Sequence, residues 1–301
     1  MTAKGIILLM LVFFSLPLLT ALATGIKRFY TQHLDPRVGV GVVTIKGVLY
    51  DSSSLVKQLH ELFEEKDVKA ILLKIESPGS AAGTGQAIHQ ELQLLKQEHP
   101  KPVIALIENV CASGGYYIAS AADHIIATGS STIGSIGSNM PFFFQLHDFI
   151  ERYDVHYLPV KAGQYKNTTD PFSKRTDQEV ELLQGLVDDV YEQFAADIAK
   201  NRKLSLPNRA QWAEGKLFTG RQALKLGLID ELGSATTAIK AIKDKAMIEK
   251  GKEIRWVKSQ QPSKWSKMFS SSADDQDSIF NRIAGRICSF LESRYAGPMV
   301  H

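Results

Sequence analysis

The stretch PVIALIENVCASGGYYIASAADHIIA, residues 102–127, changes its pattern twice. It begins as an apolar strand, narrows to small residues around Ser113, and continues as an Ala-rich helix followed by a second apolar strand. Gly114 and Gly115 allow another backbone to approach this turn closely. Packing would be served equally well by Ala or Gly at position 113, whereas a chemical role would need the hydroxyl of Ser113, and the rest of the chain has to decide between the two.

Strand and helix patterns alternate along the chain on both sides of this stretch. The longest predicted helix begins at Thr176, because Thr176 and Glu179 have the spacing of a capping box, and it runs to about Lys203. Such alternation is typical of an α/β domain with substantial parallel pairing. The other predicted strands are 38–50, 69–77, 124–128 and 156–162, and the other predicted helices are 53–65, 86–99 and a segment near 143–152.

Length, composition and charge limit the classes of function. The 301 residues suffice for one large domain or two small ones, and a content of 44% hydrophobic and 22% charged residues is ordinary for a globular protein. A net charge of +3 without a block of Lys or Arg gives no support for a nucleic-acid partner. Two cysteines, Cys111 and Cys288, exclude a disulfide scaffold, and the scattered histidines show no metal-ligand spacing, so we expect neither a metal nor a cofactor.

The two ends of the chain differ from its middle. Residues 6–24 are uncharged and almost wholly apolar, which predicts a helix that crosses a bilayer; a signal peptide cleaved after Ala23 is the alternative. We therefore divide the chain into a membrane anchor and tether over 1–37, an α/β domain over 38–257, and a polar linker with a C-terminal amphipathic helix over 258–301.

Ser113 is the candidate nucleophile. At the first turn of a helix, free N–H groups and the helix dipole favour the negative charge that develops on an oxygen during acyl transfer. A serine nucleophile also needs a base. His124 is one candidate, although a strand-edge histidine with a structural hydrogen bond is the simpler interpretation. Lys166 is the other, because it lies just after an apolar stretch in AGQYKNTTDPF.

The chain resembles the signal peptide peptidase A family, also called protease IV, over about residues 38–250. Five motifs follow one another in family order: ILLKIESPGS, PVIALIENVCASGGYYIASAADHIIA, STIGSIGS, AGQYKNTTDPF and LFTGRQALKLGLIDELG. The resemblance implies that Ser113 is the nucleophile, that Lys166 is the general base, and that Ser135 orients the lysine amine.

The resemblance also implies an oxyanion hole made by backbone N–H groups. Gly114, directly after the nucleophile, and the SPG turn at Gly79 match the regions that supply these groups in the family. The family usually has a second glycine after SPG, and Ser80 stands there in this chain. An N–H donor does not depend on its side chain, so the hole survives unless that position needs a positive φ.

The fold that the resemblance implies is of the crotonase/Clp-protease type, built from repeated ββα units and preceded by a transmembrane segment. The implied function is that of a membrane-anchored serine endopeptidase that degrades released signal peptides and other apolar membrane-derived peptides. Its single-pass anchor, residues 6–24, would lie in the lipid of the bacterial cytoplasmic membrane, with the catalytic domain on the outer, periplasmic side.

An assembly of identical subunits is also expected. The family forms rings, and the long helix from Thr176 carries more apolar residues than one narrow stripe needs. These residues are Leu182, Leu183, Leu186, Val187, Val190 and Phe194. The sequence therefore predicts a homo-oligomer whose substrate groove is completed between subunits.

Two other functions are weighed against this one. The wider superfamily contains acyl-CoA hydratases and isomerases, which use carboxylates as acid–base groups, whereas no Asp or Glu occupies the turn at residues 112–115. A membrane scaffold that has lost catalysis is the second alternative. The presence of both Ser113 and Lys166 argues against it.

Overall fold

A computed structural model describes residues 15, 19–26, 35–140 and 144–259 of the chain. The strands are β1 (Val38–Lys46), β2 (Val68–Ser77), β3 (Val103–Ala112), β4 (His124–Ala127), β5 (Thr132–Gly134), β6 (Leu217–Thr219), β7 (Glu231–Leu232) and β8 (Ile254–Val257). The helices of the domain are α1 (Ser53–Glu64), α2 (Ala82–Glu98), α3 (Gly114–Ser120), α4 (His147–Arg152), α5 (Asp177–Arg202), α6 (Gly220–Lys225) and α7 (Ala235–Lys245), with a 3-10 helix at Leu206–Gln211.

An eight-stranded sheet organises the domain. Its strand order is β6-β5-β3-β2-β1-β8, and β4 pairs with both β3 and β7. Every pairing is parallel except that of β5 with β6. The predicted α/β domain with parallel pairing is confirmed. Because parallel strands present their carboxyl ends at the same edge, the ends of β2, β3 and β5 lie together.

Helices cover both faces of this sheet. On one face α1, α2, α3 and α5 pack over the main core, to which they contribute Leu59, Leu92, Tyr116 and Phe194 among others. On the other face α7 places Ala238, Ala241 and Ile242 against a smaller cluster. The central strands are buried on both sides, and they therefore consist of nearly continuous runs of apolar residues.

Two sequence predictions have different outcomes in the region after the sheet. The capping box is confirmed: the Glu179 N–H donates to Thr176 Oγ1 (3.2 Å) and the Thr176 N–H donates to the Glu179 carboxylate (2.9 Å).

The predicted strand at 156–162 is wrong, since these residues form no strand. Alternation of apolar residues indicates one apolar face, but here Leu158 is 85% and Val160 is 96% exposed.

The predictions for the two ends of the chain stay predictions. Of the predicted anchor over 6–24, only residues 15 and 19–24 are described. Within the described ranges, none of the helices combines the length and the apolar composition that crossing a bilayer requires. The C-terminal helix predicted near 279–291 lies outside the described residues.

His89 lies where α2, α3 and α5 meet, and it is 4% exposed. Its ring contacts Tyr117 of α3 at a centroid distance of 4.8 Å. Asn201 of α5 donates its Nδ2 to His89 Nε2 (2.6 Å), so the proton of the neutral ring lies on Nδ1. Burial lowers the pKa of His89 below its ordinary value, against the opposing effect of Asp197. The folded protein therefore favours the uncharged ring.

We expect the free energy of unfolding to fall when the pH drops below about 6.5, the ordinary pKa of histidine. The unfolded chain binds a proton there that folded His89 does not bind. The free energy of unfolding therefore has its full value, with respect to His89, above that pH. It decreases as the pH is lowered towards the pKa of His89 in the folded state. His89→Gln keeps an acceptor for Asn201, and it should remove the part of the pH dependence that is due to His89. Urea denaturation of both proteins from about pH 7.5 to about pH 5 measures the difference, and parallel pH curves would contradict the assignment.

Candidate active site

Ser113 stands at the point where β3 ends and α3 begins. It occupies the N-cap of α3 with a φ of 50° and a ψ of −128°. Its N–H donates to the carbonyl of Gly134 at the end of β5 (2.8 Å). A residue other than glycine in such a conformation costs on the order of 1–3 kcal/mol, and strain of this kind is concentrated at functional sites.

Two glycines let the end of β2 close on this turn. A Cβ on Gly115 would lie 2.8 Å from the carbonyl oxygen of Ser77, and a Cβ on Gly79 would lie 3.2 Å from the Cβ of Ser113. Gly79 also has a φ of 154°. The loop after β2 therefore lies in direct contact with the candidate nucleophile.

The N–H groups along this loop differ in whether they are already in use. Gly79 donates to Ser77 Oγ (3.2 Å), and Ala81 donates to the carbonyl of Leu49 (2.9 Å). The N–H of Ser80, between them, has no acceptor among the described residues. Ser80 is not one of the residues with a positive φ, so this position does not require the glycine that the family usually has.

The N–H of Gly114 likewise has no acceptor among the described residues. A Cβ placed on Gly114 would lie 2.8 Å from the backbone nitrogen of Ser80, so the two residues are immediate neighbours. Two free donors beside one serine hydroxyl are the arrangement that stabilises an oxyanion.

Two cavities meet at Ser113. The larger, of about 600 Å³, is mostly apolar, and Tyr117 and Phe194, stacked at a centroid distance of 4.4 Å, form part of its wall. Four of the apolar residues that suggested a subunit interface line this cavity: Leu186, Val187, Val190 and Phe194. The apolar excess of α5 is therefore explained in part by the cavity within one chain.

The smaller cavity, of about 380 Å³, is lined mainly by polar side chains and contains Ser135. Ser135 follows β5 with a φ of 52°, and its N–H donates to the carbonyl of Lys216 (2.6 Å). Ser113 lines the same cavity. The structure therefore brings together two of the three residues predicted to form the catalytic group.

Lys166 is not brought to the same place within one chain. It is exposed in a turn, where its N–H donates to the carbonyl of Gly163 (3.2 Å), and it lines neither cavity. His124, the other candidate base, lines neither cavity either. It begins β4, and its Nε2 lies 3.1 Å from a carboxylate oxygen of Glu231, which agrees with its structural interpretation.

Sequence reasoning missed a pair of residues in the smaller cavity, Tyr191 and Glu214. Tyr191 donates its hydroxyl to the Glu214 carboxylate (2.7 Å), and the Arg209 guanidinium lies 5.3 Å from the centre of the Tyr191 ring. Burial, followed by the hydrogen bond to Glu214 and then its charge, raises the pKa of Tyr191, so its hydroxyl remains a donor. The pair joins α5 to a turn 23 residues later, and no local pattern signals such a contact.

One group of possible metal ligands occurs in the described ranges, at His147, Asp148 and Glu151 of α4. Their ligand atoms lie within 4.8 Å of one another. None of the three lines either of the cavities beside Ser113. Burial raises the pKa of Cys111, which therefore stays a thiol inside the core.

Comparison with known proteins identifies the family. Peptidase family S49 matches residues 95–249, which contain Ser113, Ser135 and Lys166. The chain belongs to this family. The resemblance to signal peptide peptidase A is confirmed by a relative of that name: a putative signal peptide peptidase of Enterococcus faecium is 28% identical over 245 residues, 78% of this chain and 70% of that protein.

Two further relatives of the S49 chain are proteases by name. A putative protease of Methanocaldococcus jannaschii is 31% identical over 198 residues, which are 66% of this chain and 63% of that protein. A putative protease of Synechocystis is 37% identical over 175 residues, which are 58% of this chain and 62% of that protein. The chain thus spans less than two thirds of the length of each of these two relatives.

The strain at Ser113 leads to a stability prediction. Ser113→Gly relieves an unfavourable φ that Ser113→Ala retains, so we expect the glycine variant to be more stable by about 1 kcal/mol. Ser54, in the first turn of α1, is the matched control, because there alanine should be more stable than glycine. Chemical denaturation of the four variants checks the order. The same order at both positions would contradict a strained Ser113.

Proposed function

We propose that this S49 protease is a serine endopeptidase in which Ser113 is the nucleophile and Lys166 the general base. The observation that carries the proposal is the strained Ser113 at a helix start, beside the free N–H groups of Ser80 and Gly114. Acyl transfer needs both parts, an exposed nucleophilic oxygen and donors for the negative charge that develops on the substrate carbonyl.

The proposed reaction is hydrolysis through an acyl-enzyme. The amine of Lys166 takes the proton of Ser113 as its Oγ attacks the scissile carbonyl, and Ser135 orients that amine. The N–H groups of Ser80 and Gly114 hold the oxyanion. The lysine then gives its proton to the leaving amine and activates the water that releases the acyl group.

The Lys166 of a second copy is proposed to complete the site. Within one chain Lys166 lines neither cavity, whereas Ser113 and Ser135 line the same one. The segment before Lys166 exposes several large apolar side chains, which a neighbouring copy would cover: Phe149, Tyr153, Val155, Leu158 and Val160. A homo-oligomer with a site shared between subunits accounts for both observations.

The proposed substrates are apolar peptides, including released signal peptides. The larger cavity beside Ser113 offers apolar side chains and the Tyr117–Phe194 pair to a residue of the peptide. An extended peptide would place its scissile bond at Ser113 and its neighbouring side chains in the cavities. Anchoring by residues 6–24 in the bacterial cytoplasmic membrane, with the domain on the outer side, would put the enzyme where such peptides are released. The fold would be of the crotonase/Clp-protease type.

An acyl-CoA hydratase or isomerase is the second candidate, because the smaller cavity contains the carboxylates of Asp188 and Glu214. Such an enzyme would use them as acid–base groups. Membership in a peptidase family and the strain at Ser113 favour hydrolysis. Retention of peptide hydrolysis by the Asp188→Asn and Glu214→Gln proteins would argue against a carboxylate mechanism.

Lys166→Met should lower peptide hydrolysis by at least about 100-fold, because general-base catalysis contributes on this order. Lys174→Met is the control, since Lys174 belongs to the same exposed segment and has no part in the proposed reaction. Initial rates on an apolar fluorogenic peptide measure both variants. Equal rates for the Lys166 and Lys174 variants would refute the lysine base.

A mixing experiment tests whether the base comes from a second copy. Ser113→Ala and Lys166→Met proteins, each inactive, should regain activity when they are dissociated and reassembled together, because some sites then combine an intact Ser113 with an intact Lys166. No recovery in verified mixed assemblies would place the lysine of the reaction in the same chain as the serine.

A further inference from the structure

The side chain of Ser80 occupies the space between the start of α2 and the start of α3. Its Oγ donates to the carbonyl of Ala81 (2.8 Å). A Cβ on Gly85 would lie 2.5 Å from this Oγ, and a Cβ on Gly114 would lie 1.9 Å from it. Both glycines therefore leave room for one hydroxymethyl group, that of Ser80.

This packing directly adjoins the two free donors. One is the N–H of Ser80 itself, and the other is the N–H of Gly114, whose Cα faces the Ser80 side chain. The separation of the donors depends on how closely the start of α3 approaches the loop after β2. The Ser80 side chain fills that gap, and its hydrogen bond to Ala81 favours one rotamer.

We propose that the side chain of Ser80 is a positioning group for the oxyanion hole: it acts as a spacer that sets the separation between the N–H groups of Ser80 and Gly114. The inference rests on the proposed function, since it takes these two groups as the oxyanion donors. The hydroxymethyl group acts through Gly114 and not on the reacting atoms. A glycine at position 80 would keep both donors but leave their separation less well fixed.

Ser80→Gly should lower kcat about tenfold and leave KM within about twofold, because the donors act on the transition state more than on the bound substrate. Ser80→Ala keeps the Cβ and should fall between Ser80→Gly and the wild type. Ser54→Gly is the matched control on the exposed first turn of α1, and it should keep the wild-type kcat. Thermal unfolding of each variant verifies that it is folded.

A compensating pair of substitutions separates a spacer from a general loss of packing. Gly85→Ala alone places its Cβ against Ser80 Oγ and should lower kcat. In Ser80→Gly/Gly85→Ala the new Cβ refills the gap from the side of α2, where it would lie 3.4 Å from the Cα of Gly114. We expect the double variant to have a higher kcat than either single variant.

Gly114→Ala provides the opposite control. Its Cβ would lie 2.8 Å from the backbone nitrogen of Ser80, which no substitution at position 80 removes. Ser80→Gly should therefore fail to restore the activity of Gly114→Ala. Restoration there would show that only the Oγ clash matters and would overturn the argument from donor spacing.

The outcomes separate this inference from the proposed function. A wild-type kcat in Ser80→Gly, or additive losses in the double variant, would overturn the spacer while Ser113→Ala remains inactive. A raised KM with an unchanged kcat would assign Ser80 to substrate binding and also overturn it. Peptide hydrolysis by Ser113→Ala itself would overturn the proposed function.

Discussion

The candidate site is held together by the parallel pairing of β3 with β2 on one side and with β5 on the other. Towards the end of β2 a shift in register places Ser77 opposite Cys111, and this brings the following loop against Ser113. On the other side Ala112 pairs with Gly134, so the residue after β5 arrives at the same edge. Because side chains alternate along a strand, a slip of one residue in either pairing would turn these groups away from each other.

The strained turn at Ser113 is held by the burial of the short helix that follows it. All seven residues of α3 are buried, and the hydroxyl of Tyr116 donates to the carbonyl of Leu228 (2.6 Å). Complete burial of one large apolar side chain contributes about 1.5–3 kcal/mol. This is comparable with the strain of about 1–3 kcal/mol at one such residue. Burial of the side chains of α3 is thus large enough to offset the strain at Ser113.

Local patterns predicted the parts of the molecule that local physics determines. Periodicity indicated β1 to β3 and the helices α1, α2 and α5, and the family motifs indicated Ser113 and Ser135. The free N–H of Ser80 could not be predicted in this way, because it depends on which acceptors the neighbouring N–H groups find in distant segments. The Tyr191–Glu214 pair and the two cavities could not be predicted from local patterns for the same reason. The incorrectly predicted strand at 156–162 shows that alternation of apolar and polar residues indicates an apolar face but does not indicate what covers that face.

The exposed apolar side chains of residues 156–162 bear on how the proposed reaction would be controlled. The segment after it carries Lys161, Lys166, Lys174 and Arg175 against one acidic residue, Asp170, so it is strongly positive. The smaller cavity beside Ser113 holds Asp188 and Glu214, whose carboxylates accept hydrogen bonds from the neutral donors Gln184 and Tyr191. In the proposed assembly, opposite charges on the two surfaces would favour and orient their encounter, more strongly at low salt. On the proposed mechanism an unassembled chain would hold a nucleophile without its base, so hydrolysis would begin only where copies of the chain meet.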